Sequence, residues 1–424
     1  EIIGWIYQFY NAREKEAIRS RGQPQTPHDV AVINQFFTPR WIVKFLVDNT
    51  LGRLWLEMHP DSSRVREKCD YLVPEPAPEA GGEDEDFTLD PDSPVNSPHA
   101  APRREEKPVT QIKLLDPACG TMHFGHYACE VFDAMYRDAR DWGHLEIADG
   151  EIPGAILEHN LFGVDIDRRA VQLAALSLFM KARTMHLQAR VTQINLVSAD
   201  ATLPDSGVKE QFLARYARTP QVQQAVAQVL EDMDQVAELG SLLRVEERLR
   251  DLLAGAGHIA TKGELEALDP RRQRDLPGME PPVRQMGLAE LAGDEEAATA
   301  WKPRYTLQEL RDDLRAFARR ALDEHDLNAQ LFATEADKAV RLLDVLMADY
   351  DVVVMNPPYG EVPEHASKYL KRVYPSTKND IYAAFYERAI DLLRGRGYVG
   401  ALTSRTYLTL SSFEDLRLEV LYNL

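Results

Sequence analysis

The chain has 424 residues, of which 44% are hydrophobic, and its formal net charge is -19. This length predicts roughly two or three domains, or one large domain with insertions. It has no apolar run of about 18 residues and no signal-peptide pattern, and its three cysteines are too few for a disulfide framework. We therefore expect a cytoplasmic protein without a membrane partner. The excess of acid disfavours nucleic-acid binding unless it is concentrated in one segment.

Residues 1–60 are predicted to form an N-terminal helical segment with a loop inside it. Apolar side chains at helical spacing, followed by a charged run, predict an amphipathic helix up to about residue 22. The loop 34–39 reads Asn-Gln-Phe-Phe-Thr-Pro, and apolar positions after it return to helical spacing. We expect Thr38 to cap this second helix and Pro39 to be its first residue.

Residues 74–108 are rich in proline and acid and contain almost no large apolar side chain. Such a segment buries too little surface to offset the entropy lost on ordering it. We predict a disordered acidic insertion that is not part of the fold. An acidic tether that mimics the charge of DNA is the alternative, but a solvated segment is the more frequent outcome of such a composition.

Residues 109–206 are predicted to contain the first half of a parallel sheet, with three strands that each end in polar residues. The predicted strands are 112–115, 160–167 and 191–197. The turn 116–121, Asp-Pro-Ala-Cys-Gly-Thr, leads into a helix whose N-terminus favours a negative group, and Gly120 lets the backbone approach a ligand. Asp165, at the acidic end of the second strand, suits a ribose diol. The carboxyl ends of these strands should build one crevice.

The residues Cys119, His123, His126 and Cys129 have a spacing that resembles a metal site. Four ligands from one turn and one short helix would rarely surround a tetrahedral ion. We predict no metal site here and interpret these side chains as helix packing and lining of the crevice.

Residues 207–333 are charged and contain several runs with helical spacing, which predicts a helical insertion between the two halves of the sheet. A short apolar, β-branched run at 350–355, Tyr-Asp-Val-Val-Val-Met, then predicts a buried strand. A helix at 383–393, ended by Gly395 and the glycine after it, and a fifth strand at 398–404 should follow.

The second half of the sheet, 334–424, contains the strongest chemical signal of the chain, the tetrapeptide Asn356-Pro357-Pro358-Tyr359. Proline lacks a backbone donor, so this turn presents mainly acceptors. The Asn356 side-chain oxygen and the Pro357 carbonyl can accept both hydrogens of an exocyclic amino group, and the Tyr359 ring can stack on a flat heterocycle. The pattern predicts a pocket for an aromatic amine. An ordinary Pro-Pro turn would need neither the asparagine nor the aromatic residue.

The motifs Gln-Phe-Phe-Thr-Pro, Asp-Pro-Ala-Cys-Gly-Thr, Gly-Val-Asp-Ile-Asp, Ser-Ala-Asp and Asn-Pro-Pro-Tyr occur in this order. In this order they resemble the gamma-class amino methyltransferases that modify adenine in DNA. The closest resemblance is to the PglX-type methyltransferases of bacteriophage-exclusion (BREX) systems. It implies an α/β fold with a Rossmann-like class I S-adenosylmethionine-dependent methyltransferase sheet, interrupted by a large helical insertion. It further implies that the last strands and a target-recognition domain lie beyond Leu424.

By this resemblance, S-adenosylmethionine occupies the crevice. The implied cofactor-binding residues are Phe37, Thr38, Pro39, Asp116, Ala118, Gly120, Asp165 and Asp200. The first three would hold the methionine part, Asp165 the ribose hydroxyls, and Asp200 the adenine amino group of the cofactor. The implied catalytic residues, which would hold an adenine flipped out of double-stranded DNA, are Asn356, Pro357, Pro358 and Tyr359. Double-stranded DNA and other phage-defence subunits are the implied partners.

One position departs from the family pattern, because Met122 stands where a second glycine is usual. We hypothesise that its bulky side chain narrows the methionine end of the pocket, which would weaken cofactor binding or require a partner to open the site. Three other functions remain open: methylation of the cytosine amino group, methylation of a different planar amide or amine, and a non-catalytic role in a defence complex. Carbon-5 cytosine methylation is excluded because it requires a nucleophilic cysteine in a Pro-Cys motif, which the chain lacks.

Overall fold

The computed structural model describes residues 9, 11–21, 29, 32–33, 38–74, 104–199, 210, 214, 240–244, 312–313, 316–317, 319–320, 327–360, 364–378 and 380–421. Most of the predicted acidic insertion at 74–108 and of the predicted helical insertion at 207–333 therefore lies outside the described residues. The same is true of Phe37 and Asp200. Among the described residues, no helix is long and apolar enough to cross a membrane.

The centre of the fold is a five-stranded sheet with the order β3-β2-β1-β4-β5, in which all neighbouring strands are parallel. The strands are β1 (Leu114–Asp116), β2 (Leu161–Asp165), β3 (Asn195–Ser198), β4 (Tyr350–Met355) and β5 (Leu393–Ala401). The parallel sheet confirms the predicted α/β class. The predicted start of the third strand at 191 is wrong, since β3 begins only at Asn195.

Ten helices can be assigned in the described part of the chain. They are α1 (Ala12–Ser20), α2 (Arg40–Val47), α3 (Arg53–Met58), α4 (Ser63–Lys68), α5 (His123–Asp141), α6 (Ile152–Ala155), α7 (Arg168–Met185), α8 (Leu327–Leu346), α9 (Glu364–Val373) and α10 (Ile381–Asp391). A π-helical turn, Asp48–Gly52, joins α2 to α3. These helices supply the apolar surfaces that cover the sheet.

The sheet is covered on both faces, and the sequence of β4 shows why. Side chains alternate between faces along a strand, so a sheet covered on both sides needs apolar residues at consecutive positions. Val352 and Val354 join Leu114 in a first core, which also contains α5 side chains. Val353 joins Leu115 in a second core on the opposite face. All of β4 is buried as a result.

Helix α2 lies against the edge of the sheet that β5 forms. Its Val43 and Val47 are buried in the first core. At Gly400 of β5, an added Cβ would lie 3.0 Å from Thr50 Cγ2 and 3.4 Å from Leu46 Cβ. A glycine at this position therefore allows α2 and the π-helical turn to pack closely on the strand next to β4.

The start of α2 differs from the predicted one. The helix begins at Arg40, and its cap residue is Pro39, which makes no side-chain capping hydrogen bond. The Pro39 carbonyl accepts hydrogen bonds from the N–H groups of Ile42 and Val43 at 3.0 and 3.2 Å. The prediction that Thr38 caps this helix is wrong. The Thr38 hydroxyl instead contacts the end of the sheet.

Strand β5 begins earlier than the sequence predicts. We interpreted Gly395 as the end of the preceding helix, but α10 ends at Asp391 and β5 starts at Leu393. The glycine belongs to an irregular stretch of the strand. Tyr350 pairs with Leu393 while Val352 pairs with Tyr398, so the register shifts here. Glycines in a strand often mark such a bulge, and the helical interpretation was wrong for that reason.

A short piece of the predicted helical insertion, 240–244, is packed into the second core. The Ser241 hydroxyl donates to the Pro117 carbonyl at 2.8 Å. The guanidinium of Arg388, which is 1% exposed, donates to the carbonyls of Ser241 at 3.0 Å and Leu243 at 3.5 Å. Helix α10 therefore holds this piece of the insertion directly beneath the turn that follows β1.

Candidate active site

The predicted chemical residues meet at one edge of the sheet. Strand β1 ends at Asp116, β2 at Asp165, and β4 at Met355 immediately before Asn356. These strands are parallel, so their carboxyl ends share an edge. The strand order reverses between β1 and β4, because β2 and β3 lie on one side of β1 and β4 on the other. Such a reversal opens a crevice outside the strand ends, where ligands of open α/β sheets bind.

The turn after β1 presents backbone to this crevice. Asp116 Oδ1 accepts a hydrogen bond from the Ala118 N–H at 3.2 Å, which closes the turn. Gly120 has a φ of 51°, a conformation that favours glycine. An added Cβ at Gly120 would meet nothing within 4 Å, so packing inside the chain does not require the glycine. The backbone there is open to the close approach of a ligand.

Asp165 links the first turn to the second. Its Oδ2 accepts from the Gly120 N–H and its Oδ1 from the Asp167 N–H, both at 2.8 Å. Burial raises the pKa of Asp165 to about 6, although the two N–H donors favour the charged form. The carboxylate is thus held in place by backbone, and its charge depends on pH near neutrality.

Asp116 is 1% exposed, and burial raises its pKa well above the ordinary value, with the nearby Asp165 charge acting in the same direction. Both effects disfavour the charged form of this carboxyl group. Asp116 shapes the turn by accepting the hydrogen bond from the Ala118 N–H.

Met122 does not face the crevice. It is fully buried in the first core and precedes α5 with a left-handed φ of 64°. Its side chain fills the space beside two glycines, since a Cβ on Gly125 would lie 2.6 Å from Met122 Cε and one on Gly163 3.1 Å from its Sδ. The expectation that Met122 narrows the pocket is therefore wrong, because the side chain packs between α5 and β2.

The Asn356 side chain is held from two sides. Its Nδ2 donates to Thr38 Oγ1 at 3.1 Å. The Tyr359 hydroxyl lies 3.1 Å from Asn356 Oδ1 and 2.7 Å from the Leu402 carbonyl oxygen. A tyrosine hydroxyl has a single proton, and the shorter contact is to Leu402. Asn356 Oδ1 therefore retains capacity to accept hydrogens from a ligand.

The ring of Tyr359 belongs to an aromatic cluster. Its centroid is 6.0 Å from that of Tyr382, with 41° between the planes, and Phe413 packs against Tyr382 in turn. Burial raises the pKa of Tyr359 to about 12, with Tyr382 and Asp380 contributing. The hydroxyl consequently remains protonated at neutral pH, and its hydrogen bond to Leu402 fixes the ring.

Two of the four candidate metal ligands are buried cysteines. Cys119 and Cys129 are buried, and burial raises the pKa of the Cys129 thiol to about 12. Within the part of the chain that the structure describes, no three His, Cys, Asp or Glu side chains are grouped so as to hold a metal ion.

The structure brings most of the predicted site residues to the crevice edge of the sheet. Those at this edge are Thr38, Asp116, Ala118, Gly120, Asp165, Asn356, Pro357, Pro358 and Tyr359. Pro39 is exposed at the start of α2. Sequence reasoning missed the contact of Thr38 with Asn356 and the role of the Leu402 carbonyl. The only sequence signal for the contact between Thr38 and Asn356 was a hydroxyl residue directly before Pro39.

The chain is similar to two curated proteins along nearly its whole length. Adenine-specific methyltransferase BrxX of Escherichia coli O9:H4 (strain HS) is 29% identical over 429 residues, covering 98% of this chain and 30% of that protein. Adenine-specific methyltransferase PglX of Lacticaseibacillus casei (strain Zhang) is 27% identical over 434 residues, covering 98% and 29%. The chain thus spans less than a third of the length of either relative. These similarities confirm the resemblance seen in the motifs.

A family profile also matches. The family described as Eco57I restriction-modification methylase covers residues 159–423, which run from just before β2 through β5 and beyond it. This match includes the tetrapeptide at Asn356. Together with the parallel sheet, it confirms the predicted Rossmann-like methyltransferase fold. The chain belongs to the Eco57I restriction-modification methylase family.

Proposed function

We propose that this chain transfers a methyl group from S-adenosylmethionine to the exocyclic amino group of an adenine in double-stranded DNA. The observation that carries the proposal is the position of Asn356 and Tyr359. They follow β4 at the strand-order reversal, beside the open turn of β1. The names of the two relatives, both adenine-specific methyltransferases, support adenine as the target.

The residues present fit the cofactor. Gly120 offers open backbone with a positive φ, and Asp165 offers a carboxylate held by two backbone N–H groups. We assign the ribose hydroxyls to Asp165 and the methionine part to the turn from Asp116 to Gly120. S-adenosylmethionine, when bound, supplies a methyl group activated on a sulfonium. Phe37 and Asp200, implied as further contacts by the family resemblance, remain proposals outside the described residues.

The chain's own contribution to the chemistry is to prepare the amino nitrogen of the base. The lone pair of this nitrogen is delocalised into the ring, which makes it a poor nucleophile. Acceptors at Asn356 Oδ1 and the Pro357 carbonyl would hold its two hydrogens and turn the lone pair toward the methyl group. Pro358 stiffens the turn between Pro357 and Tyr359. A base inside a duplex cannot reach these groups, so the target adenine is flipped out.

Tyr359 supplies the stacking surface, and mutation can distinguish the contribution of its ring from that of its hydroxyl group. We expect Tyr359→Ala to weaken productive DNA binding by roughly tenfold to hundredfold, because base–aromatic stacking contributes about 1–3 kcal/mol per base. Tyr359→Phe keeps the ring and loses only the hydroxyl bonds to Leu402 and Asn356. It should stay within about tenfold of wild type. The measurement is the concentration dependence of methyl transfer on DNA. Equal losses in the two variants would rule out stacking as the main role of the ring.

Cofactor binding should depend on pH through Asp165. Its pKa is raised to about 6, so the carboxylate is charged at pH 8 and mostly protonated at pH 5. Only the charged form accepts both ribose hydroxyls, so we expect affinity to fall by about tenfold from pH 7 to pH 5. Folding should respond in the opposite sense: the folded chain holds this proton more tightly, so the contribution of Asp165 to stability decreases as pH rises from about 4 to 6.

Calorimetric titration of S-adenosylmethionine at several pH values tests this expectation. Asp165→Asn is the matched control, since it keeps size and acceptor capacity on one oxygen but cannot ionise. The variant should bind more weakly at pH 8 and show a flat profile between pH 5 and 7. A profile in the variant that parallels the wild-type one would assign the pH dependence to another group.

We propose, on the BREX resemblance, that the protein acts with other phage-defence subunits and that methylation of host DNA is its contribution. Neither relative is covered beyond about 30% of its length, so target choice is proposed to depend on sequence outside the matched region.

The proposal is tested by incubating the full-length protein with isotopically labelled S-adenosylmethionine and double-stranded DNA, and identifying the labelled nucleoside by mass spectrometry. We expect N6-methyladenine. Label in N4-methylcytosine would replace the adenine proposal with the cytosine alternative. Cofactor binding without label in any nucleoside, with all system subunits added, would favour a non-catalytic role in the defence complex.

A further inference from the structure

We propose that Thr38 is a positioning residue that holds the Asn356 amide with its oxygen toward the target base. This inference rests on the proposed methyl transfer and deepens it. Thr38 Oγ1 lies 3.1 Å from Asn356 Nδ2 and accepts its hydrogen. The two residues are 318 positions apart in the chain. The loop before α2 thereby reaches the acceptor that would hold the reacting amino group.

The orientation of the Asn356 amide decides whether it can accept a hydrogen of the target amino group. An asparagine side chain has an acceptor at one end and two donors at the other. A half-turn of the amide would present N–H donors to an amino group that also carries N–H donors. The base would then be repelled instead of held. Only the orientation with Nδ2 toward Thr38 leaves Oδ1 on the side of Tyr359, where the base would stack.

Tyr359 alone does not fix this orientation. Its hydroxyl oxygen lies 2.7 Å from the Leu402 carbonyl oxygen and 3.1 Å from Asn356 Oδ1, so its one proton can go to either. When that proton is given to Leu402, the Tyr359 oxygen can only accept, so it no longer favours an orientation that turns Oδ1 toward it. Thr38 Oγ1 accepts from Nδ2 at the other end of the amide, so the present orientation depends on Thr38 as well as on Tyr359.

Thr38 is well placed for this role because its surroundings hold it still. Its side chain is 5% exposed. The following helix α2 is anchored through Val43 and Val47 in the first core, and the close approach at Gly400 fixes that helix to β5. Because the hydroxyl does not cap α2, it remains available to accept from Asn356.

The family resemblance instead assigns Thr38 to the methionine part of the cofactor, and the two roles predict different kinetics. A cofactor contact affects the dissociation constant of S-adenosylmethionine, and its loss is overcome by adding more cofactor. A residue that orients Asn356 affects the rate with both substrates bound. Its loss persists at saturating cofactor.

The experiment compares Thr38→Val with Thr38→Ser in the full-length protein. Valine keeps the shape of threonine but has no acceptor, while serine keeps the hydroxyl and loses the methyl group. Cofactor binding is measured by calorimetry, kcat by methyl transfer to DNA at saturating cofactor, and folding by the thermal transition. We expect kcat to fall at least tenfold in Thr38→Val and less than threefold in Thr38→Ser. The thermal unfolding temperatures of both variants should be near that of wild type.

A tenfold lower kcat at saturating cofactor, restored by serine, supports the positioning role whether or not the cofactor constant also changes. A Thr38→Val variant whose kcat matches wild type at saturating cofactor overturns the positioning role. If the dissociation constant of S-adenosylmethionine is raised in that variant, Thr38 is assigned to cofactor binding. Equal losses in the valine and serine variants also overturn it, since the hydroxyl would then not matter. A wild-type protein that transfers no methyl group removes the proposed function itself, and this inference with it.

Discussion

The Asn356→Ala variant should transfer methyl groups about a thousandfold more slowly than wild type at saturating cofactor and DNA. Removal of one preorganised polar group that acts on the reacting atoms typically costs about a hundredfold to a thousandfold in rate. Asn356 is expected at the upper end because its loss affects two things at once. It removes the acceptor for one amino hydrogen, and it leaves Thr38 and Tyr359 without the amide that connects them.

Cofactor binding separates this effect from a general defect. The contacts assigned to S-adenosylmethionine lie on the turns after β1 and β2, so the affinity of Asn356→Ala for it should stay within about threefold of wild type. The measurement is single-turnover methyl transfer beside calorimetric binding. An activity within tenfold of wild type would contradict the assignment of Asn356 as an amino-group acceptor. Asn356→Gln, which keeps the amide but displaces it by one methylene, should be as slow as the alanine variant if geometry is decisive.

Local patterns were enough to locate the two halves of the crevice. The run from Tyr350 to Met355 predicts a strand buried on both faces, and the structure confirms it, with the polar residues after it at the sheet edge. The same reasoning located Asp165 at the end of its strand and Gly120 in the turn between β1 and α5. These predictions hold because strand ends and turns are set by residues close together in sequence.

Contacts between distant segments could not be predicted in this way. The Thr38 hydroxyl had a plausible local task as a helix cap, and sequence spacing gave no reason to connect it with Asn356. The position of the Met122 side chain could not be predicted either. The sequence shows a methionine where the family pattern has a glycine, but it does not show on which side of the turn the side chain lies. The side chain is buried because Gly125 and Gly163, on two different elements, leave room for it.

The glycine at 395 shows a different limit. A glycine after a helical pattern predicts a helix end, and a glycine in a strand predicts a bulge. Both signals were present at the junction of α10 and β5, and only the pairing of β5 with β4 decides between them. The tertiary contact overrode the local preference.

Arg388 was not singled out from the sequence, yet its replacement should have the largest effect on stability. A charged residue in the last turn of an amphipathic helix is normally solvated, but Arg388 is 1% exposed in the second core. It donates to the carbonyls of Ser241 and Leu243, and so connects α10 to a segment 145 to 147 residues away. Because these carbonyls are buried in the same core, no solvent replaces the guanidinium when it is removed.

We therefore expect Arg388→Met to lower the free energy of unfolding by about 3 kcal/mol, since each buried polar group left without a partner costs about 1–3 kcal/mol. Methionine fills most of the vacated volume, so the loss reports the hydrogen bonds more than a cavity. Arg372→Met, an exposed arginine on α9, is the matched control and should change stability by no more than about 0.5 kcal/mol. Urea unfolding followed by fluorescence gives both values. A loss below 1 kcal/mol in Arg388→Met would mean that the packing of Leu242 and Leu243 holds segment 240–244 in place without the arginine, as in buried ion pairs that apolar side chains replace without loss.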